Sequence, residues 1–429
     1  MIKTPSLVAR PVTIVTDSLK QVPKLSKPRR KFVAALIATI LAVRGRVNYR
    51  NLARYGQYCE RSYARQFAQP FPWMEYHAQV IQRAVPASHR RIAAQDASFI
   101  PKSGKHTPGL DKFYNGCAGR PERGLEISAV VVVDLTQKGA YVAAVAQTPA
   151  TPAVKKKKDA VTRAVKKKKD AVTRIDHAVT QVQTVRPHLP ADIVFLAADG
   201  AYAKKKYTDG VVEAGLQLVT KLRNDANMRF RYTGPRTGKQ GRPKTYDGKV
   251  DWQDLSRFDK VALSTLDAEP GVEGYTAELY HCSLKRWLRV IVLVWYTADG
   301  KRHHAIFATT DLKCEALEVL HMYQGRFHIE FLFRDAKQFA GLTECQARNK
   351  EALDFHFNAS LATVSATRAA MAQEQANDEA FVFSLATQKQ IAFNELFLAE
   401  ISAKLNCDLT CWKNHPAYEE LRTYGALAA

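Results

Sequence analysis

The chain has 429 residues, enough for two or three domains with sizeable cores, and its 46% apolar, 24% charged composition excludes a disordered class. Its net charge of +23 is localised: residues 1–88 hold 15 Lys or Arg against 3 Asp or Glu, and residues 153–174 hold 10 against 2. Such concentration calls for a polyanionic partner, nucleic acid before a membrane surface, because no apolar run is long enough to anchor the chain in a bilayer.

In chain order, residues 1–30, with Pro5, Pro11, Pro23 and Pro28 among basic residues, are expected to form an extended arm. Residues 32–43 (FVAALIATILAV) form an apolar helix, and two shorter helical patterns, NYRNLARYG and CERSYARQFAQ, follow the RGRV turn. Three helices, the last two joined tightly and displaying Arg50, Arg54, Arg61 and Arg65, suit a helix-turn-helix-like DNA-binding domain over residues 1–88.

From residue 91 the texture turns to strands: RIAAQDASFI, GLEISAVVVVDL and AYVAAVAQT are rich in β-branched residues and separated by turn material. Asp96 lies inside the first, where a carboxylate is costly unless it binds a metal or accepts hydrogen bonds, and Ser98, Lys102 and Lys105 follow it. The segment AVKKKKDAVTR at 153–163 repeats unchanged at 164–174; eleven residues keep helical phase, which predicts a long helix from about 152 to 184 with a solvated lysine face. Residues 191–207 predict a buried strand ending at Asp199, where open α/β sheets place chemistry, then a helix through Val212 and the strand LQLVTKLR.

Residues 223–312 are expected to be a β-rich insertion, with a basic loop around Arg242 and two tryptophans, Trp287 and Trp295, either in a core or available for stacking on an unpaired base. The stretch 323–337, YQGRFHIEFLFRDAK, is expected as one helix on which Tyr323, Arg326, Glu330 and Lys337 share a narrow polar face in an otherwise apolar segment. A carboxylate flanked by two cations and a phenol suits a metal ion held beside a phosphodiester. Helices continue to residue 429.

Asp96, Asp199 and Glu330 thus stand in order on strand, strand and helix, and three hard oxygen donors suit two Mg²⁺ ions, with Mn²⁺ able to substitute. At these residues the chain resembles bacterial insertion-sequence DDE transposases with the Tyr-x2-Arg-x3-Glu-x6-Lys signature and a ribonuclease-H-like catalytic core. The resemblance rests on DASFIPKSGK around Asp96, DGAYAKK around Asp199, and the full signature at Tyr323, Arg326, Glu330 and Lys337. It implies an α/β fold, a mixed sheet flanked by helices. Residues 89–222 and 313–360 would make the catalytic core, split by the insertion at 223–312, and 361–429 a C-terminal helical region. It implies that Asp96, Asp199 and Glu330 bind the catalytic metals and that Tyr323, Arg326 and Lys337 hold DNA phosphates. Lys102, Lys105, Arg242 and Trp295 are further expected DNA contacts, beside the four arginines of the N-terminal helices.

The implied activity is cut-and-paste transposition: binding terminal inverted repeats, metal-dependent cleavage of the ends and joining of the 3′-OH to target DNA, by a homodimer on DNA. Seven scattered cysteines fit free thiols in the reducing bacterial cytoplasm, with the protein on the nucleoid when bound. A catalytically inactive DNA-binding regulator and a stand-alone metal-dependent nuclease are the alternatives.

Overall fold

A computed structural model describes residues 9–104, 106–150, 172–235, 243–263, 271–374, 382–406 and 413–426. Five helices come first: α1 Ala9–Gln21, α2 Lys27–Ala42, α3 Tyr49–Tyr55, α4 Glu60–Phe67 and α5 Trp73–Ala84. The expected N-terminal arm is therefore a helix over much of its length. Ile14, Val15, Leu19 and Val22 recur at helical spacing and are buried, and burial of that stripe outweighs the prolines, which fall outside or near the ends of the helix.

Twelve strands among the described residues form one mixed sheet. Its centre is β1 Arg91–Pro101, β3 Arg120–Asp134, β4 Gly139–Gln147, β5 Phe195–Ala198 and β6 Gln217–Leu222. β1 runs antiparallel to β3, β3 antiparallel to β4, while β5 lies parallel to both β1 and β6. This is the mixed sheet flanked by helices that the resemblance implied, with helices on both faces. A hairpin strand, β2 Asp111–Asn115, extends β3 at its start.

The segment 223–312 is continuous with this sheet. β12 Arg302–Thr309 pairs with β6, β11 Arg286–Tyr296 with β12, and β10 Glu273–His281 with β11. The short strands β7 Met228–Arg231, β8 Tyr246–Lys249 and β9 Asp259–Val261 complete that edge. One face of β11 (Leu288, Val290, Val292, Val294) closes a second apolar core with Trp252 and Phe258, leaving the other face with Ile291, Leu293 and Trp295.

After the strands come α8 Ala316–Gly325, α9 His328–Phe339, α10 Lys350–Glu374, α11 Leu385–Lys404 and α12 Pro416–Thr423. Between β4 and β6 lie α6 Arg174–Val185 and α7 Lys205–Glu213. α6 begins at Arg174 because Thr173 is extended and forms a reciprocal capping box with Asp176. The long helix expected from 152 therefore does not run unbroken through 173, and the duplicated lysine block up to 171 lies outside the described residues.

α10 is a single helix of 25 residues crossing the boundary expected at 360. It is buried along most of its length, and its Leu353, Phe355, Phe357 and Leu361 share one continuous core with α1, α2, α4, α5 and the sheet. The N-terminal helices are thus packed onto the sheet's helical layer rather than around a core of their own.

Candidate active site and basic groove

Strand register builds the site. Gln95 of β1 pairs with Ala198 of β5, so the next residues, Asp96 and Asp199, stand side by side on the same face. Alternation sends Gln95 to the opposite face, where its amide donates to Gln181 Oε1 (3.0 Å) and its carbonyl accepts from Tyr207 Oη (2.6 Å). The costly carboxylate in mid-strand is partly compensated locally, since Ala97 N donates to Asp96 Oδ1 at 2.8 Å.

The third acid arrives from the helical layer. The segment expected as one helix is two, α8 and α9, joined by a tightened turn. Arg326 N donates to Tyr323 O (3.2 Å), Phe327 N to Gln324 O (3.0 Å) and Glu330 N to Phe327 O (3.0 Å), a three-residue spacing that overwinds the join. Gly325 marks the place: a Cβ there would collide with Leu135, so glycine lets α8 end close against the sheet. The apolar residues divide accordingly. Ile329, Leu332 and Phe333 are buried, whereas Phe327 and Phe331 are exposed and pack on each other.

Arg326 sits at the centre of the polar side. Its Nη1 donates to Asp96 Oδ2 at 2.8 Å and its Nη2 to Glu330 Oε1 at 2.9 Å, so one guanidinium ties the strand acid to the helix acid. Tyr323 Oη donates to Asp199 Oδ1 at 3.4 Å. Asp96, Asp199 and Glu330 are therefore brought into one site, with Tyr323 and Arg326 between them.

Burial dominates the electrostatics of the site. Burial pushes the Asp96 carboxyl up to about 6; Arg326 opposes this, while Asp199 and Glu330 add to it. Burial raises Tyr323 to about 12, with Asp199 adding to it against Arg326. Arg326 is pushed higher despite its burial because Asp96, Glu330 and Tyr323 surround it. Among the described residues no three His, Cys, Asp or Glu side chains are gathered as a ready metal site; at this site the guanidinium stands between two of the acids.

The remaining expected contacts separate. Lys337, on α9, is half-buried near Cys117 in the β2–β3 hairpin, and burial lowers its pKa; it takes no part in the hydrogen bonds joining the acids. Lys102 donates to the carbonyls of Cys345 and, at 3.2 Å, Ala347, so it fastens the strand end to the loop after α9 while staying half-exposed. Trp295 stacks on His303 with rings 5.8 Å apart, on the face of β11 that carries Ile291. Trp287 lies at the other end of β11 beneath Arg231, 4.2 Å from its ring centre. Lys105 and Arg242 lie outside the described residues.

Sequence reasoning missed Lys221. The Ala198 to Thr220 pairing carries it to the level of Asp199, and it is exposed with its ammonium 6.0 Å from the Phe307 ring, which packs on Tyr323. Its position one residue after Thr220 in LQLVTKLR was the available signal, needing only the strand register.

A basic surface begins at the far end of β1. Arg50, Arg54, Arg61 and Arg65 are all exposed on α3 and α4. Arg50 and Arg54 line one hollow with Arg44 and Arg46 from the preceding turn, while Arg61 and Arg65 stand outside it. Arg46 also borders a groove of about 1110 Å³ with Lys102, His106 and Arg348. The turn is seated on the loop after α9: Val47 N donates to Glu344, and Gly341, at φ +71°, leaves no room for a Cβ against Val47. From Asp96 to Lys102 is six residues of strand, about 20 Å, less than one turn of duplex DNA.

These elements define a mixed α/β protein with an acidic site on one face of the sheet and an arginine-lined surface within reach of it. Residues 22–270 match the family described as DDE superfamily endonuclease, and the chain belongs to that family. The match includes Asp96 and Asp199 and ends before Glu330. A solved structure, the piggyBac transposase synaptic complex with hairpin DNA, is similar at 10% identity and a TM-score of 0.44, covering 99% of this chain and 84% of that one. No curated protein matches the sequence. Among the described residues, no helix is long and apolar enough to cross a membrane.

Proposed function

We propose that this DDE-family endonuclease is a cut-and-paste DNA transposase: it binds the terminal inverted repeats of its element, cuts the ends and joins the freed 3′-OH to target DNA. The observation that carries the reading is the convergence of Asp96, Asp199, Tyr323, Arg326 and Glu330 from two strands and two helices on one side of the sheet.

The residues fit divalent ions by donor chemistry. Three carboxylates share the site against the single guanidinium of Arg326, which pairs with Asp96 and Glu330, while Asp199 faces the Tyr323 hydroxyl, so the hard oxygen donors outnumber the cation among them. Asp96, Asp199 and Glu330 would hold two Mg²⁺ ions, or Mn²⁺ in their place, which when bound supply activation of the attacking oxygen and stabilisation of the leaving oxygen.

The chain's own groups do the rest. Arg326 offers a planar fork matched to a phosphate, and Tyr323 a hydroxyl beside Asp199. Lys221 and Lys337 add cations on the approach. Cleavage and joining are both in-line transfers at phosphorus, so one arrangement serves both. Arg44, Arg46, Arg50 and Arg54 hold the flanking duplex through its phosphates, and Trp295 offers a stacking face on the site's side of the sheet. Joining two ends calls for two copies of the chain on DNA, in a bacterial cytoplasm where the nucleoid is at hand.

The test is cleavage of a labelled duplex carrying the DNA that flanks the gene, with Mg²⁺ or with EDTA. Metal-dependent cuts at the element's end by wild type, lost in Glu330→Gln while binding persists, support the reading. Binding without cleavage by wild type would leave the inactive regulator.

A further inference from the structure

Arg326 occupies the place between the acids that a shared cation would take. Its two terminal nitrogens are spent on Asp96 (2.8 Å) and Glu330 (2.9 Å), one from the strand and one from the helix. Its seat is also incomplete. The residue is 9% exposed, yet its Nε is buried without a hydrogen-bond partner, so the guanidinium is held by two of its edges and leaves a donor idle.

A guanidinium with two carboxylates and an idle donor is poised between two kinds of partner. A phosphodiester would accept the same fork bidentately. Asp96 and Glu330 would then be left uncovered beside Asp199, three acids with no cation among them. The tightened turn places Arg326 four residues before Glu330 at the very join of α8 and α9, with its guanidinium 5.5 Å from the Tyr323 ring centre.

We propose that Arg326 is a stand-in cation: in the DNA-free chain it competes with divalent ions for Asp96 and Glu330, and a DNA phosphate that takes over its guanidinium frees those acids, so that DNA and metal bind with positive coupling. This deepens the transposase reading and rests on its assignment of the acids to metal. The coupling is reciprocal, since whatever removes Arg326 from the acids favours the ion and whatever binds the acids frees Arg326 for phosphate. It would keep the nuclease site unloaded until substrate is present.

The test is Mn²⁺ titration of the full chain without DNA, with free ion followed by its electron paramagnetic resonance signal, for wild type, Arg326→Gln and Arg326→Lys, each checked for folding by thermal melting. Arg326→Gln is expected to bind Mn²⁺ at least about fivefold more tightly than wild type, the lower end of usual coupling. Arg326→Lys, able to reach one acid at a time, is expected to fall between them. Adding a 40-base-pair duplex, with a DNA-only blank subtracted, should tighten wild type toward the Arg326→Gln value and leave that variant little changed. Equal Mn²⁺ affinity in wild type, Arg326→Gln and Arg326→Lys overturns the inference alone. Failure of all three proteins to bind Mn²⁺, with or without duplex, overturns the metal reading beneath it and the inference with it.

Discussion

Arg326 and the arginines of the N-terminal hollow carry the same side chain in opposite settings. Arg326 is buried, paired with two acids and fixed in direction. Arg46, Arg50 and Arg54 are exposed around an open hollow. A buried, pre-aimed charge can distinguish one oxygen from another, whereas an exposed one attracts any phosphate and is screened by salt. The molecule thus separates chemistry from capture, and the seating of the Arg44–Val47 turn on the loop after α9 joins the two.

Substitutions at the acids should break this division most sharply. Asp199→Asn is expected to lower end cleavage by about a thousandfold or more with duplex affinity unchanged, read from single-turnover rates beside a binding titration. On the capture side, Arg46→Ala, Arg50→Ala and Arg54→Ala combined should weaken duplex binding by roughly ten- to a hundredfold at moderate salt. The same variant should flatten the plot of log affinity against log salt by up to about 3, near one per phosphate contact removed. Its cleavage rate at saturating DNA should stay near wild type.

Gly341→Ala addresses the joint between the regions. With φ at +71° and the Val47 side chain in the way, the added methyl should destabilise the fold by roughly 1–3 kcal/mol, seen as a melting temperature lower by several degrees.

Asp96→Asn should give the smallest effect, on stability. Folding raises this carboxyl to about 6, chiefly through burial, so the folded state favours its protonated form. That stabilisation is complete below the unfolded value near 4 and is lost as pH rises through about 6. Asparagine mimics the neutral form, so the variant should melt higher than wild type at pH 8, by on the order of 1 kcal/mol in stability, with the gap closing at pH 4. A gap that widens toward acid would show that Asp96 is stabilised as the anion.

Much of the acidic site was legible because its residues violate local patterns. Asp96 interrupts an apolar strand, and Asp199 ends one. What sequence could not give was register: the pairing of Gln95 with Ala198, which sets the two acids side by side, depends on partners about a hundred residues apart, and a second pairing, Ala198 with Thr220, brings Lys221 level with them. The single helix expected over 323–337 failed at Gly325 and Arg326, where close packing against Leu135 overrode helical periodicity. Lys102 reaches the carbonyls of Cys345 and Ala347, a contact no local pattern announces. The sheet's continuation through 223–312 was hidden for the same reason as the register, since β12 meets β6 only through tertiary pairing.

The most direct test of the account is single-turnover cleavage of a labelled element end at low salt with Mn²⁺, comparing Glu330→Gln with the triple arginine variant. The account predicts that Glu330→Gln binds the end as wild type does and leaves it intact, whereas the arginine variant, once saturated with DNA, cuts at close to the wild-type rate. Cleavage by Glu330→Gln at the wild-type rate would contradict it, removing Glu330 from the chemistry and with it the site that Asp96, Asp199 and Arg326 are proposed to form.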